Sequence, residues 1–253
     1  MSIMRSLMFR KAFLLLVFLT ASATFPFTPG KWSHTDRIVL GFEKGGPAQE
    51  LVKDAKGNLI YSAKYEYDES GKLVRENYIG KDGKPDGFTK FTYKDGRVLK
   101  EELFNKDGVN LEAKVFNYDK AGILSSVELQ DQSGKSLLRC SILSWGENGM
   151  IKDAQTEWAD SKDTERFSVV KDPNKPGLYQ QNIFNEDKQH VASTVLTFDS
   201  NGKLLSRMNV QGSQERMNRL IWDKSNRLQQ FTFLVKEGDK WTIEKTHELV
   251  YSK

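Results

Sequence analysis

The sequence predicts an all-β protein, built as one long antiparallel meander of about 15–16 short strands and curled into a barrel-like or two-layer sheet. Three observations lead to this prediction. A hairpin motif returns about every 26 residues, a second series of turn signals lies midway between its copies, and no segment shows a sustained helical period. A fixed period of this kind is typical of proteins assembled from repeated β-hairpins.

The first 23 residues have the pattern of a secretory signal peptide. Arg5, Arg10 and Lys11 provide a positive start, the run AFLLLVFL is apolar, and the segment ends in the small residues 21–23. The apolar run is shorter than the roughly 20 residues that a membrane-spanning helix needs. We therefore expect an exported chain that begins at Thr24 and is located in the periplasm or outside the cell.

Beyond the signal peptide we expect a lead-in segment over residues 24–49 and a hairpin-repeat domain over residues 50–253. The whole chain has 38 basic and 34 acidic residues, a net charge of +4. Three of the basic residues and none of the acidic ones lie in residues 1–23, so the exported chain carries 4 − 3 = +1. Its charges are interspersed, which is typical of a hydrated surface and argues against a nucleic-acid partner.

The repeated motif has two apolar residues spaced by one, then Asp, two residues, Gly, one residue and an aliphatic residue. Asp favours the first position of a type I turn, and Gly suits the left-handed residue that closes a three-residue hairpin loop. Full and near copies are YEYDESGKL (65–73), FNYDKAGIL (116–124), LTFDSNGKL (196–204) and LIWDKSNRL (220–228), and variants span 51–59, 91–98, 143–151 and 167–178.

The loop geometry predicts which residues face each other across each hairpin. The aromatic residue before the Asp lies opposite the aliphatic residue six positions later. The predicted facing pairs are Tyr67–Leu73, Tyr118–Leu124 and Trp222–Leu228. The glycines at 71, 122 and 202, and Asn226 in the fourth copy, are expected to have positive φ.

Turn signals midway between the motif copies halve the period to about 12–13 residues, one strand plus one turn. They are Lys81-Asp82-Gly83, Lys106-Asp107-Gly108, Gln132-Ser133-Gly134 and Gln211-Gly212-Ser213. Short turns throughout make neighbouring strands antiparallel. Early strands are apolar on one face only, whereas Ile142, Val195 and Ile221 add apolar groups to the second face, so we expect the later sheet to be covered on both sides.

With these motifs, residues 50–235 resemble bacterial YD-type (Rhs-like) repeats, whose signature is an aromatic residue, Asp, two residues, Gly and an aliphatic residue. The segment 83–108 is also similar to the MORN-type hairpin variant of bacterial repeat proteins. The resemblance implies a hairpin scaffold and no catalytic residues.

A sixteen-strand outer-membrane barrel is an alternative, since export and strand number suit it. Its outer face would have to be apolar, but RVLKEELF (97–104) places Glu101 on one face and Lys100 with Glu102 on the other. A lysine or arginine that faces lipid at the midplane costs roughly 2–4 kcal/mol. We expect that the exported chain does not span a membrane.

The sequence offers no catalytic, cofactor-binding or metal-binding residues, and we expect that the protein is not an enzyme. His34, His190 and His247 have no metal-ligand spacing. Cys140, in LLRCSIL, is interpreted as a small buried residue. The segment 186–190 is interpreted as a polar turn, and the recurring Asp residues at 68, 119, 199 and 223 as turn residues, not calcium ligands.

Two functions are compatible with these features of the sequence. The first is a secreted binding or scaffold module of the cell envelope or cell surface, whose broad sheet meets a protein or glycan. Trp32, Trp158 and Trp241 lie outside the motif and are candidate exposed aromatics, although a core-filling role is favoured for each. The alternative is an envelope carrier that holds a hydrophobic ligand in a cavity of the curled sheet. The many inward aromatic residues favour a filled interior.

Overall fold

The computed structural model describes residues 46–146, 151–161 and 163–251, and these residues form sixteen β-strands. The predicted signal peptide and most of the lead-in segment, including Trp32 and His34, lie outside the described residues. No helix in the described part of the chain has the length and apolar character needed to cross a membrane.

The strands follow one another at short intervals along the chain. The first eight are β1 Gln49–Asp54, β2 Leu59–Tyr67, β3 Leu73–Gly80, β4 Pro85–Lys94, β5 Arg97–Asn105, β6 Asn110–Tyr118, β7 Leu124–Asp131 and β8 Ser136–Trp145. The second eight are β9 Ile151–Trp158, β10 Thr164–Lys171, β11 Leu178–Phe184, β12 His190–Phe198, β13 Leu204–Gln211, β14 Gln214–Trp222, β15 Leu228–Glu237 and β16 Lys240–Val250.

Every strand pairs antiparallel with the next, and β1 pairs with β16, so the sheet is a closed barrel. The closing pair matches Gln49 with Val250 and Asp54 with Lys245. The predicted antiparallel meander of about sixteen strands is confirmed, and of the two predicted arrangements the chain adopts the barrel. Closure pairs the two strands that would otherwise be open edges.

The hairpin geometry follows the prediction. Tyr67 pairs with Leu73, and the pairs 118–124 and 222–228 form in the same way. Gly71 has φ +83°, and Asn226, which replaces the glycine in its copy, has φ +64°. The turn is closed by Asp68, whose carbonyl accepts from the N–H of Gly71 at 2.9 Å and whose Oδ1 accepts from backbone N–H groups of residues 70 and 72.

A β-bulge follows each of these turns and decides which side chains point inward. The register shifts by one residue, so the next inward residue after Leu73 is Glu76, three positions on. At 143–151 the register is irregular: Ile142 pairs with buried Ala154, and Leu143 is 49% exposed. The motif predicts that its two apolar residues, here Leu143 and Trp145, share one face because side chains alternate along a strand. That prediction is wrong at this copy, because the irregularity falls between the two residues.

The apolar core lies on the inner face of the barrel in two clusters. One cluster consists of Ala63, Tyr65, Leu73, Tyr78, Phe91, Leu196, Leu204, Leu220, Leu228, Phe231 and Leu249. The other consists of Val98, Phe116, Leu124, Val127, Leu129, Leu138, Cys140, Ile151, Ala154, Trp158, Phe167, Ile183 and Ala192. The expectation that the later sheet is covered on both faces is wrong at Ile221, which is 41% exposed, because a closed barrel is a single sheet and Ile221 faces away from its core.

Four aromatic residues of the motif, together with Tyr251, join neighbouring hairpins at one end of the barrel, here called the aromatic rim. Each donates a hydrogen bond, from a phenol O–H or the indole N–H, to a main-chain carbonyl of the preceding hairpin or of the chain leading into β1. The pairs are Tyr67–Pro47, Tyr93–Leu73, Tyr118–Val98, Trp222–Leu204 and Tyr251–Leu228, at 2.7–2.9 Å. These bonds satisfy polar groups whose rings are packed against the core.

Cationic side chains of the preceding turns cover three of these rings. The guanidinium of Arg97 lies 5.6 Å from the ring centroid of Tyr118, and that of Arg227 lies 4.6 Å from Tyr251. Lys72 is placed similarly over Tyr93, at 5.6 Å. The aromatic rim therefore combines a hydrogen bond with a cation–π contact at each of these junctions.

Candidate functional site

Buried polar side chains meet on the inner wall at the seam where β1 pairs with β16. Nδ1 of His247 is hydrogen-bonded to Oε1 of Glu50, and the hydroxyl of Tyr65 donates to Oε2 of the same carboxylate at 2.8 Å. Glu50 and His247 are each 1% exposed. We call Glu50, Tyr65 and His247 the seam cluster.

Aromatic rings and one ammonium group surround the seam cluster. The ring centroids of Phe233 and Phe231 lie 5.2 Å and 6.0 Å from that of His247, and Tyr61 lies at 6.4 Å. The Lys245 ammonium sits 4.2 Å from the centroid of Phe233. The imidazole is therefore held among aromatic rings, with the Glu50 carboxylate as a hydrogen-bond partner.

Burial dominates the protonation behaviour of these groups. It lowers the pKa of His247, although the hydrogen bond and charge of Glu50 act in the opposite direction. It lowers the pKa of Lys245 as well, and it raises the pKa of Tyr65, assisted by the negative charges of Glu50 and Glu76. Tyr65 is therefore a neutral hydrogen-bond donor, and it holds the Glu50 carboxylate in place.

Two further polar groups continue around the same wall. The hydroxyl of Tyr78 donates to Oε2 of Glu76 at 2.8 Å and is 2.6 Å from the Thr89 hydroxyl. On β5 and β6, Nζ of Lys114 pairs with Oε1 of Glu101 at 3.0 Å, and both side chains are almost fully buried. Each carboxylate has a donor within the wall, so these residues position one another and hold the strands in register.

The outer wall of β3, β4 and β5 carries an aromatic platform made of Arg75, Phe88 and Phe104. The two phenyl rings stack at 4.6 Å with an interplanar angle of 15°, and the guanidinium lies 3.7 Å from the centroid of Phe88. Nε of Arg75 donates to Asn77 at 2.8 Å, and Asn77 donates to Glu66 at 2.6 Å. The guanidinium is thus fixed over a half-buried aromatic pair.

The described residues that the sequence singles out are dispersed over the barrel. Cys140 is fully buried, as predicted, and burial raises its pKa to about 12. Trp158 is a core residue, and Trp241 is half-buried near the start of β16. Residues 186–189 form the predicted turn, after which Nε2 of His190 is 2.8 Å from the Ser193 hydroxyl.

Sequence reasoning missed both the seam cluster and the aromatic platform. The described residues contain no group of His, Cys, Asp and Glu arranged to hold a metal ion. Glu50 and His247 are 197 positions apart, and only barrel closure brings them together. Phe88 and Phe104 face each other across the β4–β5 hairpin, so its turn spacing is a signal that could have identified the pair.

Comparisons with known proteins give a fold likeness only. The sequence matches no protein-family model and no curated protein. The barrel is similar to the crystal structure of a porin-like protein from Bacteroides uniformis, with a TM-score of 0.52, 10% identity, and coverage of 81% of this chain and 98% of that one. The likeness supports the all-β barrel.

Two further solved structures are too dissimilar to bear on the fold. A TcdB2–TccC3–Cdc42 complex matches with a TM-score of 0.24 and 10% identity, over 75% of this chain and 15% of that one. MucB in complex with MucA(peri) matches with a TM-score of 0.17 and 10% identity, over 81% and 87% of the two chains.

Proposed function

We propose that this chain is an exported, non-enzymatic binding module of the cell envelope, and that its outer wall contacts a protein or glycan partner. The observation that carries the proposal is the aromatic platform. Flat aromatic and guanidinium groups supply contact area at little conformational cost, and they are enriched where proteins bind partners. Here Asn77 and Glu66 hold the Arg75 guanidinium in place without a bound partner.

Ion pairs on the outer wall support a barrel surrounded by water. Outward side chains form ion pairs between strands, including Lys53–Glu248 and Lys236–Glu215, each at 2.6 Å. Charged groups in such positions are costly at the midplane of a lipid bilayer. This pattern supports a module that does not span the membrane. That its scaffold is of the YD or MORN hairpin-repeat type is a proposal from the turn motifs alone.

The polar groups of the inner wall support a structural role more than a catalytic one. Glu50, Glu76 and Glu101 each have a hydrogen-bonding partner within the wall. The single thiol, Cys140, is buried, and its raised pKa keeps it protonated near neutral pH. These groups are arranged as structural polar contacts.

Binding is tested with purified chain starting at Thr24 and envelope fragments from the source cells. Phe104→Ala should weaken retention on the fragments about tenfold, as expected for a central aromatic contact. Val170→Ala is the matched control, since Val170 is an exposed apolar residue far along the sheet on β10. Equal retention of the two variants would contradict the proposal.

The same assay identifies the class of partner. Fragments are treated with protease before binding, and a second sample is left intact. Loss of retention after protease indicates a protein partner, and unchanged retention indicates a glycan. Export is tested separately by mass spectrometry of protein recovered from the envelope or medium, which should show Thr24 as the first residue; an intact Met1 would refute it.

A carrier of hydrophobic ligands is the second candidate, because the inner wall is apolar through both core clusters. Native mass spectrometry of the protein, purified without detergent, would show a bound lipid-sized mass if the barrel is a carrier. A single species at the mass of the bare chain favours the binding module.

A further inference from the structure

Three adjacent strands of the barrel are almost free of charge. Strands β11, β12 and β13 have seven, nine and eight residues, and their only Asp, Glu, Lys or Arg is Arg207, although these four types make up 28% of the chain. Arg207 pairs with buried Leu196, so it lies on the inner face. We call the outer face of these strands the uncharged face; it consists of Gln180, Asn182, Phe184, His190, Ser193, Val195, Thr197, Ser206, Met208 and Val210.

Four polar side chains of the uncharged face are joined by hydrogen bonds between β11 and β12. Nε2 of Gln180 donates to Oδ1 of Asn182 at 2.8 Å, and the Ser193 hydroxyl donates to the same oxygen at 3.2 Å. Nε2 of His190 is 2.8 Å from the Ser193 hydroxyl, and the His190 ring lies edge-on to Phe184 with 5.8 Å between the centroids. These contacts hold the two amide groups in a fixed orientation.

Each of the two amide groups has one end that is open to a ligand. Among the residues that the structure describes, Nδ2 of Asn182 and Oε1 of Gln180 have no hydrogen-bond partner. Gln180 is exposed and Asn182 is half-buried. A donor and an acceptor held side by side match neighbouring sugar hydroxyl groups or an acetamido group, and little conformational entropy is lost when they bind.

The size of the uncharged face limits what can bind to it. Neighbouring strands lie about 4.8 Å apart and rise about 3.3 Å per residue, so three strands of this length cover roughly 400 Å². A stable protein–protein interface buries about 800 Å² on each partner. The barrel wall is also convex, so a second copy of the chain or another folded protein would contact only part of the face. A single glycan chain is narrow enough to lie within it.

The absence of charge indicates a neutral ligand, because a charged ligand would lose its water without gaining an ionic partner. Phe184 is half-buried and offers an apolar ring to the C–H groups of a sugar. We propose that the uncharged face binds a neutral glycan chain, with Asn182 and Gln180 as its hydrogen-bonding groups and Phe184 as its apolar contact. The aromatic platform on β3–β5 lies eight strands away around the sixteen-strand barrel, so this is a second and separate site.

NMR titration of the isotope-labelled chain starting at Thr24 tests the site with maltohexaose, cellohexaose and chitohexaose. The last two share one backbone, and chitohexaose has an acetamido group in place of one hydroxyl on each ring. We expect saturable shifts of the β11 and β12 amide signals with at least one probe, unchanged at high salt because no charge is involved. A difference between cellohexaose and chitohexaose shows whether hydroxyl or acetamido groups are recognised.

Three results would overturn the proposal. The first is no saturable shift with any of the probes, and the second is binding that disappears at high salt. The third is a set of shifts that depends on protein concentration and not on the sugar, which would indicate a second copy of the chain on this face.

Side-chain variants locate the site. Asn182→Ala should weaken glycan binding about fivefold through the loss of a hydrogen bond. Asn117→Ala is the matched control, since Asn117 is an outward amide on β6 that donates to Ser126, and it should leave binding unchanged. Phe184→Leu removes the flat ring but keeps an apolar side chain, so it tests the site if the alanine variant at 182 does not fold. Equal effects of the two asparagine variants, or unchanged binding with Phe184→Leu, would contradict the assignment.

Discussion

The two ends of the barrel use the same turn, yet only one end shows the sequence motif. At the aromatic rim, Oδ1 of Asp68 accepts from the backbone N–H groups of residues 70 and 72. At the opposite rim, Oδ1 of Asp131 accepts from those of residues 133 and 135. Gly71 and Gly134 both have φ +83°. The turns match in main-chain hydrogen bonds and in conformation.

The two rims differ in the face of the sheet on which the pair of residues flanking the turn lies. Tyr67 and Leu73 point into the barrel, whereas Gln130 and Ser136, which flank the turn at the opposite rim, point outward. Successive turns lie at opposite ends of the barrel, and the residues that flank them face opposite sides of the sheet. The aromatic–aliphatic pair therefore recurs once per two strands, and this explains a motif period of about 26 residues over a turn period of about 13.

Truncation of an aromatic-rim residue should have the largest effect. Tyr118→Ala removes the contact with Leu124, the hydrogen bond to the Val98 carbonyl and the cation–π contact with Arg97. We expect about 3 kcal/mol less stability towards unfolding, measured by urea denaturation.

Two controls separate the contributions at this position. Tyr118→Phe retains the ring and loses the hydrogen bond, and it should cost about 1 kcal/mol. Gln130→Ala, beside the matching turn at the opposite rim, should cost less than about 0.5 kcal/mol. A loss from the glutamine variant as large as that from Tyr118→Ala would remove the distinction between the rims.

Glycine substitutions test the shared turn. Gly122→Val and Gly134→Val both place a β-branched residue at positive φ, so each should cost about 2 kcal/mol. A Cβ at 122 would also displace the Arg97 guanidinium, whereas the space at 134 is open, so Gly122→Val should cost more. Asn226→Gly should be tolerated, and unchanged melting temperatures for both valine variants would refute the turn assignment.

A smaller free energy is expected for the coupling between two side chains that face each other on the inner wall. A double-mutant cycle on Tyr118 and Leu124 should give about 0.5 kcal/mol of favourable coupling. Tyr118 with Ile123, whose side chain is exposed, is the control and should show none. Equal coupling in the two cycles would indicate that the facing pair contributes no specific contact.

The smallest expected effect is on the pKa values of the Asp carboxyl groups in the turns. Hydrogen bonds from the serines at 70 and 133 and from backbone N–H groups lower the pKa of Asp68 and Asp131 below 3.8. These hydrogen bonds therefore stabilise the folded state above the pKa that the carboxyl group has in the unfolded chain. Their contribution is lost as the pH falls through the lower pKa of the folded state. Carboxyl NMR titration should show both values lowered alike, and Ser70→Ala and Ser133→Ala should each raise one. A shift at only one rim would contradict the shared turn.

The sequence predicts the hairpins because their determinants are local. Asp and Gly at fixed positions specify the turn, and the turn specifies that Tyr67 faces Leu73. Barrel closure could not be decided from the sequence, because it depends on pairing Gln49 with Val250 across the whole meander. Turn chemistry carries no information about that pair.

The inward charges escaped prediction for a different reason. Strict alternation of side chains from Leu73 would place Arg75 on the inner face. The bulge after the turn instead places Glu76 there. The same shift brings Glu101 and Arg207 inward after Val98 and Leu204. A rule that adds one residue after each turn would have identified these inward polar residues.

The pairing of β1 with β16 also determines how the chain could be reconnected. The N–H of Ala48 donates to the carbonyl of Val250 at 2.8 Å, so the two ends of the barrel sequence are adjacent. A short linker could join them, and new ends could be opened at the exposed turn 132–134 without breaking a strand. Such a circular permutant would keep every strand neighbour, while β1 and β16 would become an ordinary internal hairpin.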